Sequence, residues 1–180
     1  LFRSRALALD TVKEQTVHFA EVVHGLISPE PTSEAQQAMK WGHDNDINAV
    51  GTLVSVVMPF LYPSLSYVEE GCHTIYGNDG NPLLVVSPDG SLRDEDNFDV
   101  KLKAVEIKCP RPAFQFSTAV VYQPAQSQIL AESKCMQTAD TETLYMSWTE
   151  ETMTVCSVAE DDALWEKIVK ETEEIYGPVP

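Results

Sequence analysis

Two stretches of the sequence hold residue types that could do chemistry. One is Ser87-Pro88-Asp89-Gly90; the other, after a polar segment, is Val105-Glu106-Ile107-Lys108-Cys109-Pro110. If the second is a β-strand, its side chains alternate between faces, so Glu106 and Lys108 point one way and Ile107 points into the core. A carboxylate beside an ammonium, on a strand otherwise built of Val, Leu, Ala and Ile, calls for a reason beyond solvation. Asp89 stands between a proline that fixes the backbone and a glycine that allows positive φ, so a strand should end sharply there. Neighbouring strands lie about 5 Å apart, which lets Asp89 stand beside Glu106 at one sheet edge. Two carboxylates that close repel each other and favour capture of a hard cation such as Mg²⁺ or Mn²⁺. Such a cation polarises a phosphodiester, lowers the pKa of a bound water and stabilises the leaving oxygen. Lys108 would orient that water or neutralise charge building on the phosphate. The chemistry expected of the three residues together is hydrolysis of a phosphate ester.

Each residue also has a plainer reading. Pro-Asp-Gly is a common turn sequence, and Glu106 with Lys108 could be a surface pair on a half-exposed strand. Lys101 and Lys103, on the same stretch, could contact a nucleic-acid backbone or protect an edge strand from aggregation.

Several elements must position these residues. Positions 6–27 carry apolar residues at helical spacing (Leu9, Val12, Phe19, Val23, Leu26), and Pro29 and Pro31 end that helix. Ser33 with Gln36 resembles a capping pair for a second helix that continues to Pro59, with a break expected near Gly42. On that helix Gly42, Asp46, Ala49, Val50, Leu53 and Val57 fall on one face, which would set Asp46 in an otherwise core-facing stripe; Asp46 could equally cap a helix starting near Ile47. Strands are expected over 67–76 and 83–87, joined by a segment dense in turn residues, and over 100–109. Pro124 suits the first turn of a helix through about 133. A hairpin follows over 144–148 and 153–158, and a closing helix over 161–176. The expected fold class is α/β (α+β), a mixed sheet flanked by helices. The 180 residues suit one domain: a helical part over 1–60, a catalytic sheet core over 65–160, and the C-terminal helix.

Composition narrows the class. No run approaches the roughly 20 apolar residues needed to span a bilayer, and the start lacks a signal-peptide pattern, so a soluble intracellular protein is expected. Cys72, Cys109, Cys135 and Cys156 are far apart, with no C-x-x-C pair, and read as reduced, mostly buried thiols. His18, His24, His43 and His73 show no metal-ligand spacing, so any metal should bind oxygen ligands. The net charge of −16 argues against holding nucleic acid by electrostatics alone, although an acidic protein that works through bound cations can keep a basic rim.

The order Asp-Gly, then Glu-x-Lys, on consecutive strands is similar to the signature of the PD-(D/E)XK nuclease superfamily. The fuller strings Ser-Pro-Asp-Gly-Ser and Val-Glu-Ile-Lys-Cys-Pro resemble its YqaJ-like viral recombinase/lambda exonuclease branch, over most of the chain. That resemblance implies a restriction-endonuclease-like core and a Mg²⁺- or Mn²⁺-dependent deoxyribonuclease acting on double-stranded DNA ends in recombination or repair. It implies Asp89, Glu106, the Ile107 carbonyl and Asp46 as metal ligands, and Lys108 as the group that positions water. Asp46 stands where the family usually has Glu, one methylene longer. Tyr122, Gln126 and Gln128 match in kind a tyrosine and paired glutamines in the family's next helix; the glutamines would hold the water or scissile phosphate, and Tyr122, Lys101 and Lys103 would contact substrate. No membrane is implied, and there is room for a homo-oligomer or a recombination partner protein. The rival readings are a non-catalytic binding module on the same fold, a structure-specific endonuclease, and an unrelated domain in which Asp89 and Glu106 lie far apart.

Overall fold

A computed structural model describes residues 32–76, 80, 82–111 and 123–176. The helix expected over 6–27 and Tyr122, expected to contact substrate, lie outside them.

The chain enters helix α1 (Ser33–Thr52), which passes through one π-helical stretch (Leu53–Val57) into the short α2 (Met58–Leu61). The N-cap is Thr32, one residue before the expected Ser33; its hydroxyl accepts from the Ala35 amide at 3.2 Å. There is no break at Gly42, whose missing side chain costs propensity but blocks nothing. The strands are β1 (Leu65–Glu69), β2 (His73–Tyr76), β3 (Pro82–Val86), β4 (Gly90–Asp94), β5 (Lys101–Lys108), β6 (Glu142–Trp148) and β7 (Met153–Ala159); α3 (Gln123–Met136) precedes β6 and α4 (Asp162–Tyr176) closes the fold. Asp161 caps α4, its carboxylate accepting from the Leu164 amide at 3.0 Å.

Two expectations change here. The stretch 67–76 is not one strand, because β1 and β2 belong to different sheets. The polar segment after Asp89 is itself a strand, β4, which pairs antiparallel with both β1 and β5. It carries one aliphatic side chain, Leu92, so alternation could not announce it.

The main sheet runs β1-β4-β5-β6-β7, antiparallel except for the parallel β5–β6 pair; β2 and β3 form a separate hairpin. A mixed sheet flanked by helices is thus the observed fold class. Side-chain alternation sorts the sheet's two faces. Leu92, Val105, Ile107, Leu144, Met146 and Trp148 meet Ala49, Leu53 and Val57 of the first helical segment and Met58 of α2 in one core cluster. On the opposite face Tyr145, Cys156 and Val158 meet Ile129 of α3. The β2–β3 hairpin packs on α3 and α4 through Leu84, Ala131, Cys135 and Trp165. Each fully buried aliphatic side chain contributes about 2 kcal/mol. The indole N–H of Trp148 donates to Thr52 at 3.0 Å, pinning β6 to α1.

The core-facing stripe of α1 is Asn45, Ala49, Leu53 and Val57, and Asp46 is exposed. Steps of four drift around an α-helix; the π-helical stretch winds more slowly and returns the stripe to the sheet. Asn45 tolerates burial because its amide donates to the Trp41 carbonyl at 2.9 Å. Cys135 is buried, Cys109 and Cys156 are half-buried, Cys72 is exposed, and none is paired. Among the described residues no helix is long and apolar enough to cross a membrane.

Candidate active site

Register brings the candidate residues together. Gly90 pairs with Val105 across the β4–β5 ladder, so Asp89, one residue before the strand, falls level with Glu106. The Asp89 carboxylate accepts the Ile107 amide N–H at 2.6 Å and so continues the ladder beyond the end of β4. Ile107 faces the core as expected. Glu106 is 1% exposed and points to the α3 face together with Lys108, whose ammonium is ion-paired with it.

Gly90 is required, although not by its conformation: among the described residues the only positive-φ glycine is Gly80. A Cβ at Gly90 would lie 2.3 Å from Tyr67 Cε2 and 2.7 Å from the Val68 carbonyl oxygen. The Tyr67 ring lies flush on that backbone, and its hydroxyl donates to the Asp89 carbonyl at 2.8 Å. Tyr67 thus clamps the turn that presents Asp89. Burial first, then the charges of Asp89 and Glu69, push its phenol well above the usual range.

Across the sheet, α3 supplies two more groups. The Gln128 Nε2 donates to Glu106 at 2.7 Å and to Glu132 at 2.8 Å. Glu132 is 1% exposed, and the Gln128 amide bridges its carboxyl to that of Glu106. One oxygen of each acid, Oε2, is buried with no hydrogen-bond partner. Burial and the charge of Glu106 hold Glu132 well above the usual carboxylate range, against the pull of the Gln128 amide. Asp89 is pushed up to about 7, first by burial and then by Glu106; the Ile107 N–H and Lys108 oppose the rise. Burial alone would lower Lys108, but the charge and hydrogen bond of Glu106, with Asp89 behind, raise it instead. An ammonium here stays charged while Asp89 and Glu132 resist ionisation.

Asp46 is exposed at the rim, near enough for its charge to act on the Cys109 thiol and on Asp89. Burial, then Asp46, pushes the thiol up to about 12, so Cys109 is a neutral donor.

The remaining candidates lie elsewhere. Gln126 lines an open cleft with Ile129, Leu130, Thr143 and Val158, since residues two apart on a helix face different ways and Gln128 already faces Glu106. Lys103 is 9% exposed and ion-paired with Asp140 and Glu142, tying β5 to the turn before β6. Lys101 lies 3.9 Å from Glu70. Both lysines are ion-paired with acids of the fold. Glu70 itself accepts from Ser91 at 2.6 Å and Arg93 at 2.5 Å and faces His73 at 3.2 Å. Although burial opposes ionisation, the Ser91 and Arg93 hydrogen bonds hold Glu70 below the usual range.

Sequence reasoning passed over Tyr67, Glu70 and Glu132. For Glu132 a signal existed: it stands four residues after Gln128, flanked by Ile129, Leu130 and Ala131, which is no setting for a solvated acid.

Among the described residues no three His, Cys, Asp or Glu side chains converge closely enough to enclose a cation by themselves. A cation here would rest on Asp89, Glu106 and the Ile107 carbonyl, with water completing the shell. The donor set is all oxygen, as Mg²⁺ and Mn²⁺ require, and the buried Oε2 of Glu106 lacks a donor, so the residues fit such an ion.

The fold is shared with solved structures. The alkaline exonuclease LHK-Exo from Laribacter hongkongensis superposes with a TM-score of 0.64 at 16% identity, over 97% of this chain and 84% of that one. LHK-Exo in complex with dAMP does so at 0.64 and 15% identity, over the same shares. No protein-family model and no curated protein matches the sequence. At such identities the likeness establishes the fold, and the site stands on its own geometry.

Proposed function

We propose that this chain is a metal-dependent deoxyribonuclease that hydrolyses phosphodiester bonds of double-stranded DNA from its ends, in recombination or repair. The observation that carries the reading is the convergence of Asp89, Glu106, the Ile107 backbone and Lys108 at the open end of β4 and β5, with one oxygen of Glu106 buried and unsatisfied. An unsatisfied buried carboxylate oxygen is destabilising by about 1–3 kcal/mol, and a bound cation relieves it. The shared fold with LHK-Exo, described as an alkaline exonuclease, supports the same class.

Asp89, Glu106 and the Ile107 carbonyl would hold Mg²⁺ or Mn²⁺, which supplies Lewis acidity and a water of lowered pKa. Lys108, charged through its acidic neighbours, orients the attacking water and offsets charge developing on the phosphate. Tyr67 fixes the Asp89 backbone, so the acid keeps its position when substrate arrives. Asp46 adds negative charge at the rim and completes the outer shell. Gln128 takes the water-holding role expected of the glutamine pair.

Covalently closed circular duplex tests the preference for ends: the reading predicts that linear DNA is degraded while closed circles persist. Nicking of the circles would instead assign an endonuclease.

A further inference from the structure

We propose that Glu132 is a positioning residue that commits Gln128 to accept, rather than donate, a hydrogen bond toward whatever enters the site. The inference deepens the nuclease reading and rests on it for its functional part.

A glutamine amide has two N–H donors and one carbonyl oxygen. Here one atom of the Gln128 amide lies 2.7 Å from a Glu106 oxygen and 2.8 Å from a Glu132 oxygen. Only the nitrogen satisfies two carboxyl oxygens at once, so the assignment of N and O follows from the partners. Both N–H groups are then engaged, and the carbonyl oxygen is the amide's remaining polar atom. That oxygen repels a phosphate and accepts from a water, so the ligand class for Gln128 is the attacking water. Without Glu132, one N–H would be released, and the amide could rotate to present a donor to phosphate.

Glu132 is suited to nothing else nearby. It is 1% exposed, so it touches neither solvent nor substrate, and its Oε2 finds no donor. A buried carboxyl so placed destabilises the fold, and leucine would fill the space more favourably. What the carboxyl does hold is the Gln128 amide.

The test is hydrogen exchange of the Gln128 side-chain amide in ¹⁵N-labelled full-length protein, its signals assigned by their loss in Gln128→Leu. Both protons should exchange slowly in the parent. In Glu132→Leu at least one should exchange faster by about tenfold or more, and Glu132→Gln, which offers a carbonyl to Gln128 and an N–H to Glu106, should restore the protection. Rapid exchange in the parent, at the rate of exposed glutamines, overturns the proposal without needing any variant to fold. In end-labelled duplex digestion Glu132→Leu should lower kcat about tenfold with KM for DNA little changed, Glu132→Gln should recover most of the loss, and the thermal midpoint of Glu132→Leu should match or exceed the parent's. An unchanged kcat in folded Glu132→Leu overturns the proposal. A parent that cuts no DNA overturns the nuclease reading instead, and leaves the exchange data to judge Glu132.

Discussion

Asp89 sits where burial and Glu106 both disfavour its charge, and the proposed cation would favour its ionised form. Asp89→Asn removes that charge while keeping an oxygen for the Ile107 amide. Calorimetry should find metal-free Asp89→Asn at least as stable as the parent, by up to about 1 kcal/mol. The upward shift in thermal midpoint that Mn²⁺ gives the parent should vanish in the variant; an equal shift in both proteins would remove Asp89 from the ligand set. Glu70 behaves in the opposite sense. Its folded pKa is lowered, so its stabilising contribution is complete above the ordinary carboxylate range and is lost as pH falls through the folded value. Thermal midpoints measured from pH 7 down to pH 3 should therefore drop more steeply for the parent than for Glu70→Gln, and at pH 7 Glu70→Ala should cost about 2 kcal/mol. Parallel curves would show that Ser91 and Arg93 do not favour the charged form. Asp89, Glu106 and Lys108 were legible in the sequence because turn chemistry and strand alternation are local. The site roles of Tyr67 and Glu132 were not, although the apolar neighbours of Glu132 signalled its burial: each reaches the site from a different element, Tyr67 across 22 positions to Asp89 and Glu132 through Gln128 across 22 to Glu106.

Between β1 and β4 the backbones and the Tyr67 ring leave no room at Gly90. Gly90→Ala must move Tyr67 or part the strands, and should cost about 2–3 kcal/mol of stability by urea denaturation. It should also lower nuclease activity by loosening the Asp89 turn, whereas Tyr67→Phe, which removes only the hydroxyl, should cost about 1 kcal/mol. A Gly90→Ala protein as stable as the parent would refute the close packing. The Asp-Gly pair was readable from the sequence and its reason was not: positive φ was the natural expectation, while crowding by a distant ring is a tertiary fact. The same holds for α1. Its existence follows from periodicity, but its phase depends on a π-helical stretch that no periodicity announces, so Asn45 rather than Asp46 turns inward. The lysines of β5 followed the strand as expected, yet their ion-pair partners Asp140, Glu142 and Glu70 arrive from other segments.

A net charge of −16 sets the terms on which the whole molecule could meet DNA. With Lys101, Lys103, Arg93 and Lys134 each paired with acids, few cations remain among the described residues to displace counterions from a duplex. Filter binding of linear duplex should therefore be weak in EDTA and strengthen with Ca²⁺ or Mg²⁺. The dependence of log Kd on log salt should be shallow, equivalent to about two or three phosphates. A steep slope in EDTA would reveal a basic surface outside the described residues. The mixed sheet and its helices were expected from the alternation of segment types, and the structural likeness to LHK-Exo agrees at the level of fold. Activity is a separate matter, and one assay addresses it most directly: release of label from 5′- and 3′-end-labelled linear duplex, with Mg²⁺ or Mn²⁺ against EDTA, for the parent, Asp89→Asn and Lys108→Ala. The account predicts metal-dependent release from the parent, reduced by about a hundredfold or more in either variant. Release that survives both substitutions, or its absence from folded parent protein that binds the metal, would contradict it.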